Sequence, residues 1–385
     1  MLNADKYKTI RPYNDDEVEG IIEQLLKETQ FTTILSFVYP QKKQEEVISN
    51  LKKIKTVKDF QRDVVYYYLN LVVQKTISKL TYSGIERLNP SKNYIFMSNH
   101  RDIVLDPALI NIILFDHWAQ TSEIAIGSNL LILPWIEMLV KLNKTFVVQR
   151  NLPAREMLLA SQELSSYIKD TIDNNSSIWI AQKEGRTKDG NDKTHPALLK
   201  MLSMSSEKSL IKSFRDLRIV PVSISYEYEP CDKSKINELY SRFKDGDYKK
   251  NPQDDLNSMS RGLNNFKGRV HISFGRPLRR KLNIIKKIEN KHLQFDKIAQ
   301  LIDSQIYRGC VLFTNNFIAY DLLFKTDTFR YKYTQAEVDE FTNYLKKQTN
   351  EIEGEKKIID KMFLALYANP VINKHKLRQL PVSFL

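Results

Sequence analysis

Cysteine is scarce. Cys231 and Cys310 are the only two in 385 residues, and they form no CxxC pair. A disulfide framework and a zinc knuckle are therefore excluded, and two reduced thiols in a cytosolic compartment are expected. Glycine is scarce too, with 11 residues, so the few glycine turns are informative. The GxSxG nucleophile elbow, the GxxxxGKS/T phosphate loop and the GxGxxG dinucleotide turn are all missing, which removes three common enzyme classes. The six histidines, at 100, 117, 195, 271, 292 and 375, show no HExxH or HxH spacing, so no metal is expected. Long apolar runs are absent: Leu130–Ile136 and Met362–Ala368 have seven residues each, against the roughly 20 that span a bilayer. The start, Met1-Leu2-Asn3-Ala4-Asp5-Lys6, lacks the apolar stretch of a signal peptide. The expectation is a cytoplasmic protein with no spanning segment, able to lie on a membrane surface.

Positive charge is plentiful. Lys and Arg number 59 against 46 Asp and Glu, a net charge of +13. Such a chain favours anionic partners: phosphorylated ligands, anionic lipid or nucleic acid. One stretch, Arg276 to Lys291, also holds Arg279, Arg280, Lys281, Lys286 and Lys287 against Glu289 alone.

The hydrophobic period changes along the chain. Residues 1–85 read as a helical region, with helical spacing over Glu17–Thr29 and Asp63–Leu80. Residues 86–280 read as an α/β domain. Short β-type runs occur at Tyr94–Ser98, Glu123–Ile126, Thr145–Gln149, Ser177–Ala181, Ile219–Ser225 and Val270–Phe274, with helical stretches at Asp106–Phe115 and Ala154–Ile172. Alternating strands and helices predict a mostly parallel sheet flanked by helices. Residues 281–385 read as a C-terminal helical region packed on or beside that core.

One segment could carry chemistry: Ser98-Asn99-His100-Arg101-Asp102-Ile103-Val104-Leu105-Asp106-Pro107. A strand delivers His100 to its carboxyl end, the edge where open α/β sheets bind ligands. A carboxylate beside a histidine fixes its tautomer and stabilises the imidazolium, the minimum for a general base. Asp106 before Pro107 also fits a helix N-cap, and Asp102 also fits a turn.

This segment resembles the first block of the glycerophospholipid acyltransferases, the family of 1-acylglycerol-3-phosphate and glycerol-3-phosphate acyltransferases. Further blocks follow in order: Thr145–Arg150, an apolar strand ending in Arg; Gln182–Thr187, containing Glu184-Gly185-Arg186; the Val-Pro-Val strand Ile219–Ile224; and Val270–Pro277, ending Phe274-Gly275-Arg276-Pro277. The family's first block is His, four residues, Asp. Here Leu105 occupies that place and Asp106 comes one residue later, so the segment between His100 and Asp106 must loop.

The resemblance implies transfer of a fatty acyl group from acyl-CoA or acyl carrier protein to a hydroxyl of a phosphorylated lipid such as 1-acylglycerol-3-phosphate, with no further cofactor. It implies His100 as the base, held by Asp106 or alternatively Asp102. Arg150 and Arg186 would clamp the acceptor phosphate. Glu184, next to Gly185, would orient an arginine or bind a glycerol hydroxyl. Asn99 belongs to the same block, and Pro221 would shape a wall near the thioester. His195 and His117 read as a turn and a structural residue. An anionic membrane surface is the expected docking partner, through Leu130–Ile136 and the Arg276–Lys291 cluster together. Other hydroxylated lipids are the alternative acceptors. Outside this class stand a nucleic-acid binder, for which no binding module is present and no nucleic-acid partner is expected, and an inactive interaction fold. An acyltransferase predicts His100, Arg150 and Arg186 converging on one pocket. An inactive fold predicts carboxylates turned away from His100.

Overall fold

The computed structural model describes residues 6–39, 41–174, 176–246, 248, 251–279 and 281–377. Met1–Asp5 and Arg280, which figure in the sequence reading, lie outside them. The strands are β1 (Ile77–Ser83), β2 (Ile95–Ser98), β3 (Glu123–Gly127), β4 (Thr145–Val148), β5 (Ile178–Ala181), β6 (Ile219–Tyr226) and β7 (Gly268–Phe274). They form one sheet in the order β1-β7-β6-β2-β5-β3-β4. β6, β2, β5, β3 and β4 are parallel, β7 joins β6 antiparallel, and β1 pairs parallel to β7. The architecture is the mostly parallel α/β sheet that the alternation predicts.

Five N-terminal helices come first: α1 (Val18–Leu25), α2 (Thr29–Val38), α3 (Gln44–Lys52), α4 (Val57–Phe60) and α5 (Tyr67–Thr76). Then α6 (Leu105–Trp118), α7 (Pro134–Leu142), α8 (Ala154–Asp173), α9 (Pro196–Leu202) and α10 (Leu210–Asp216) fall between strands, and α11 (Asp232–Asp245) and α12 (Pro252–Asn264) link β6 to β7. The chain ends in α13 (Leu282–Ile285), α14 (Lys291–Gly309), α15 (Thr314–Phe324), α16 (Gln335–Thr349) and α17 (Lys356–Lys376).

The central strands are apolar throughout because both faces are covered. Ile95, Met97, Ile178 and Ile180 pack with residues of α8, α10 and α14, such as Tyr167, Phe214 and Ile302. Phe96, Trp179, Val220 and Val222 pack with α5 and α6. Each such side chain contributes about 1.5–3 kcal/mol on burial. α6 is buried from Leu105 to Leu114 without a break, so its apolar residues surround the helix instead of forming a stripe. The N-terminal helices share a smaller core with α7, through Leu25, Phe31, Phe60 and Leu142.

One expectation changes. The helical period read through Asp63–Leu80 breaks at Thr76, and Ile77–Ser83 is a strand. Pairing with β7 outweighs the local helical pattern there. The basic stretch and Leu130–Ile136 lie at opposite edges of the sheet. Because β7 runs against β6, it delivers the chain to the amino-terminal edge of the parallel strands, where Leu278 N–H donates to the Ile219 carbonyl at 3.0 Å. Leu130–Ile136 follows β3 at the opposite, carboxyl-terminal edge.

The C-terminal helices attach through a polar lock. α11, α15, α16 and α17 share a core including Ile236, Ile318, Phe341 and Phe363. At its margin the buried Asp232 accepts from Tyr344 at 2.6 Å, Tyr367 at 2.9 Å and the Lys233 amide at 2.7 Å. Burial pushes the Asp232 carboxyl from its ordinary 3.8 up to about 6, against the pull of these donors. A carboxyl whose folded pKa lies above its unfolded value contributes stability that is complete below the unfolded pKa and lost as pH rises through the folded one. Wild type should therefore lose stability relative to Asp232→Asn between about pH 4 and about pH 6, read as the difference in melting temperature. A difference that grows in the wild type's favour over that interval would contradict this.

Candidate active site

The five parallel strands all end at one edge, and the loops leaving β2, β3, β4 and β5 border a large cavity of about 1980 Å³. His100 follows β2, Arg150 follows β4, and Glu184, Gly185 and Arg186 follow β5; all five line the cavity. His100, Arg150 and Arg186 thus border the same cavity. Asn99, Asp102, Asp106 and Pro221 are buried and do not border the cavity. Pro221, expected in the wall, lies inside the sheet instead. It pairs in register with Met97, and its carbonyl accepts from the Gly275 amide at 2.8 Å.

Residues 99–104 do loop, and α6 starts at Leu105. Asp106, in the first turn, turns its carboxylate back toward the loop. Its Oδ2 lies 2.9 Å from His100 Nδ1 and accepts from the Arg101 amide at 2.5 Å and the Asp102 amide at 3.0 Å. Its Oδ1 accepts from the Tyr226 hydroxyl at 2.8 Å. A carboxylate taken up by backbone donors offers only acceptor capacity to the imidazole, so Nδ1 carries the proton and Nε2 has the free lone pair. The Trp179 ring stands edge-on to the imidazole, 5.5 Å between centroids. Burial first, then the charges of Asp106 and Asp102, raises the Tyr226 phenol well above its ordinary value, so it remains a donor.

Beneath the loop lies an ion network with no local signature in the sequence. Arg101 is buried and reaches Asp192 at 2.7 Å and Glu229 at 3.1 Å. Lys235, also buried, joins Glu229 at 2.6 Å and the Arg101 carbonyl at 2.7 Å. Burial opposes the charge of Arg101, but the two carboxylates more than offset it and hold its pKa above the ordinary value. Asn99 completes the mooring. Its amide brackets the backbone of Ile224, donating to the carbonyl at 2.9 Å and accepting from the N–H at 2.8 Å, and it also donates to Asp192 at 3.2 Å. In sequence Arg101 looks like a surface arginine beside His100, and its partners lie far along the chain.

The two cavity arginines differ. Arg150 is partly exposed and pairs with the exposed Glu184 at 2.9 Å. The Arg186 side chain is buried, approaches Asp255 of α12 only to 4.0 Å, and keeps one terminal nitrogen without a hydrogen-bond partner among the described residues. Gly185 between them has φ +69°, a left-handed conformation that other residues rarely adopt. His195, read as a turn residue, stands immediately before α9 and borders the cavity. His117 bonds the Ile113 carbonyl at 2.9 Å, away from it.

Asp102 does not face His100. Its Oδ1 accepts from the Val104 and Leu105 amides at 2.9 and 2.8 Å, capping the start of α6. Burial and the neighbouring Asp106 raise its pKa, against those amides and Arg186. α12 covers it with Gly262, where a Cβ would lie 2.1 Å from Asp102 Oδ2. Gly262→Ala would ordinarily stabilise a helix by about 0.5–1 kcal/mol. The clash should reverse the sign and leave a net loss on the order of 1–2 kcal/mol in denaturant titration. A gain in stability would contradict the packing.

Residues 79–225 match the family model described as Acyltransferase. The chain is also similar to the 1-acyl-sn-glycerophosphate acyltransferase of Thermotoga maritima, at 13% identity and a TM-score of 0.32, covering 73% of this chain and 91% of that one. So distant a likeness carries no inference. No curated protein matches.

Proposed function

We propose, from the membership of residues 79–225 in the acyltransferase family, that this chain moves a fatty acyl group from a thioester, acyl-CoA or acyl carrier protein, to the hydroxyl of a phosphorylated glycerolipid such as 1-acylglycerol-3-phosphate. The observation that carries the reading is His100, braced by Asp106 at Nδ1, on the wall of the cavity that Arg150 and Arg186 also line.

The chemistry then needs no group beyond these. Nε2 of neutral His100 takes the proton of the acceptor hydroxyl as its oxygen attacks the thioester carbonyl. The new C–O bond forms, the C–S bond breaks, and the departing thiolate takes the proton back from the imidazolium. Asp106 stabilises that imidazolium and keeps the ring oriented. Because the thioester is already activated, the chain needs no nucleophile of its own. Arg150 and Arg186 bind the acceptor phosphate, which fixes the hydroxyl beside His100. Phe31, Leu35, Val64, Leu69 and Leu139 give the cavity an apolar portion suited to an acyl chain.

The lipid surface belongs at the cavity mouth. Ile34 and Leu71 line the cavity and are exposed, and exposed Ile132, Leu158 and Leu159 adjoin lining residues. Among the described residues no helix is long and apolar enough to cross a membrane. The Arg276–Lys291 stretch, at the other edge of the sheet, stands outside this contact.

Incubation with a panel of acyl thioesters and lysolipids, read by mass spectrometry, should yield an acylated phospholipid. His100→Ala should lower turnover by at least about 10²-fold with the fold intact. A variant with near wild-type turnover would refute the role. Arg150→Ala should raise the acceptor KM by about 10-fold or more, the usual loss for a hydrogen bond to a charged group, with donor KM little changed. Equal weakening of both substrates would count against the phosphate assignment.

A further inference from the structure

We propose that Tyr226 is a positioning residue whose phenol fixes the Asp106 carboxylate and thereby sets the basicity of His100. The inference rests on the reading of His100 as the base. Tyr226 lies one residue beyond the family-matched segment, and nothing in its own sequence surroundings marks it.

Ser98, the last residue of β2, pairs with Val222, whereas β6 continues to Tyr226. The extra residues of β6 run past the end of β2 and behind the His100 loop. Asn99 is tied to Ile224 in that extension, so loop and strand are held at fixed separation. From the end of the extension the buried Tyr226 hydroxyl donates to Asp106 Oδ1 at 2.8 Å. The other oxygen, Oδ2, meets His100 and two loop amides. Every donor to Oδ2 comes from residues 100–102, whereas Tyr226 holds the carboxylate from outside the loop. The extra residue between His100 and Asp106 makes this external anchor consequential, because the loop alone must otherwise hold a carboxylate displaced by about 100° around the helix.

The sign of the effect follows. A phenol that donates to the carboxylate draws off part of its negative charge. Its removal leaves more charge beside the imidazole and favours imidazolium, so the His100 pKa rises. Other charged groups near the pair are Asp102, Arg101 and Arg186 around the loop, Glu229 behind Tyr226, and Lys267 next to Asp102. All of them remain in place in a Tyr226 variant, so the change introduced is the loss of the phenol hydroxyl.

The test uses the full chain with isotope-labelled histidine, the His100 signal being the one lost in His100→Ala. In Tyr226→Phe the His100 titration midpoint should rise by about 0.5–1 pH unit. The acid limb of kcat/KM should move up with it, so that activity lost at neutral pH returns at higher pH while both KM values stay within about twofold. Replacement of Tyr226 by 3-fluorotyrosine, a stronger donor of nearly the same shape, should move the midpoint down, and it carries the test alone if Tyr226→Phe does not fold. An unmoved midpoint, or a shift of the same sign in both variants, would overturn the proposal. If His100→Ala abolishes turnover while the Tyr226 variants leave the midpoint unmoved, only this inference fails. If His100→Ala stays active, the functional reading fails, whatever the titration shows.

Discussion

A fully buried carboxylate must find donors for its lone pairs, and Asp106 finds four: the His100 imidazole, the Arg101 and Asp102 amides and the Tyr226 hydroxyl. The rest of the cavity wall depends on this sharing. It closes the loop between His100 and α6, and it selects the imidazole nitrogen that stays free. Asp102, the other carboxylate in the loop, is occupied with capping α6. The two carboxylates therefore have separate duties, one toward the histidine and one toward the helix.

The loop in turn rests on charges that are expensive to bury. Arg101, Lys235, Asp192 and Glu229 are all removed from water, which costs free energy unless the charges are paired and hydrogen-bonded; Arg101 Nε and Asp192 Oδ1 keep no hydrogen-bond partner among the described residues. Buried ion networks are poor sources of stability compared with apolar packing. Their value at this position is geometric. They join the loop after β2 to the segment after β5 and to the start of α11, three regions far apart in sequence, and so hold His100 at the edge of the sheet.

Much of the fold was legible in the sequence for a physical reason. β2 and β5 are buried on both faces, so they appear as unbroken apolar runs. β1 was not, because it is an edge strand with several exposed positions and the helical period of α5 runs up against it. His100, Arg150 and Arg186 were legible because short blocks carry them to the same edge. The choice between Asp102 and Asp106 was not, since spacing does not tell which way a side chain turns at the start of a helix. Arg101, Asp192, Glu229, Lys235 and Tyr226 had no local signature; only the folded chain brings them together. Pro221 was misplaced because a Val-Pro-Val pattern marks the strand without saying which loops reach the cavity.

In the proposed reaction a hydroxyl of a phosphorylated acceptor meets His100 Nε2 while Asp106 holds Nδ1. A crystal structure with 1-acylglycerol-3-phosphate and a non-transferable thioether analogue of the donor tests it most directly. The account predicts the acceptor hydroxyl about 3 Å from Nε2, within hydrogen-bond reach of the base, with the phosphate on Arg150 and Arg186. An acceptor bound in the cavity with its hydroxyl away from His100, or an Asp106 carboxylate turned from Nδ1 in the complex, would contradict it.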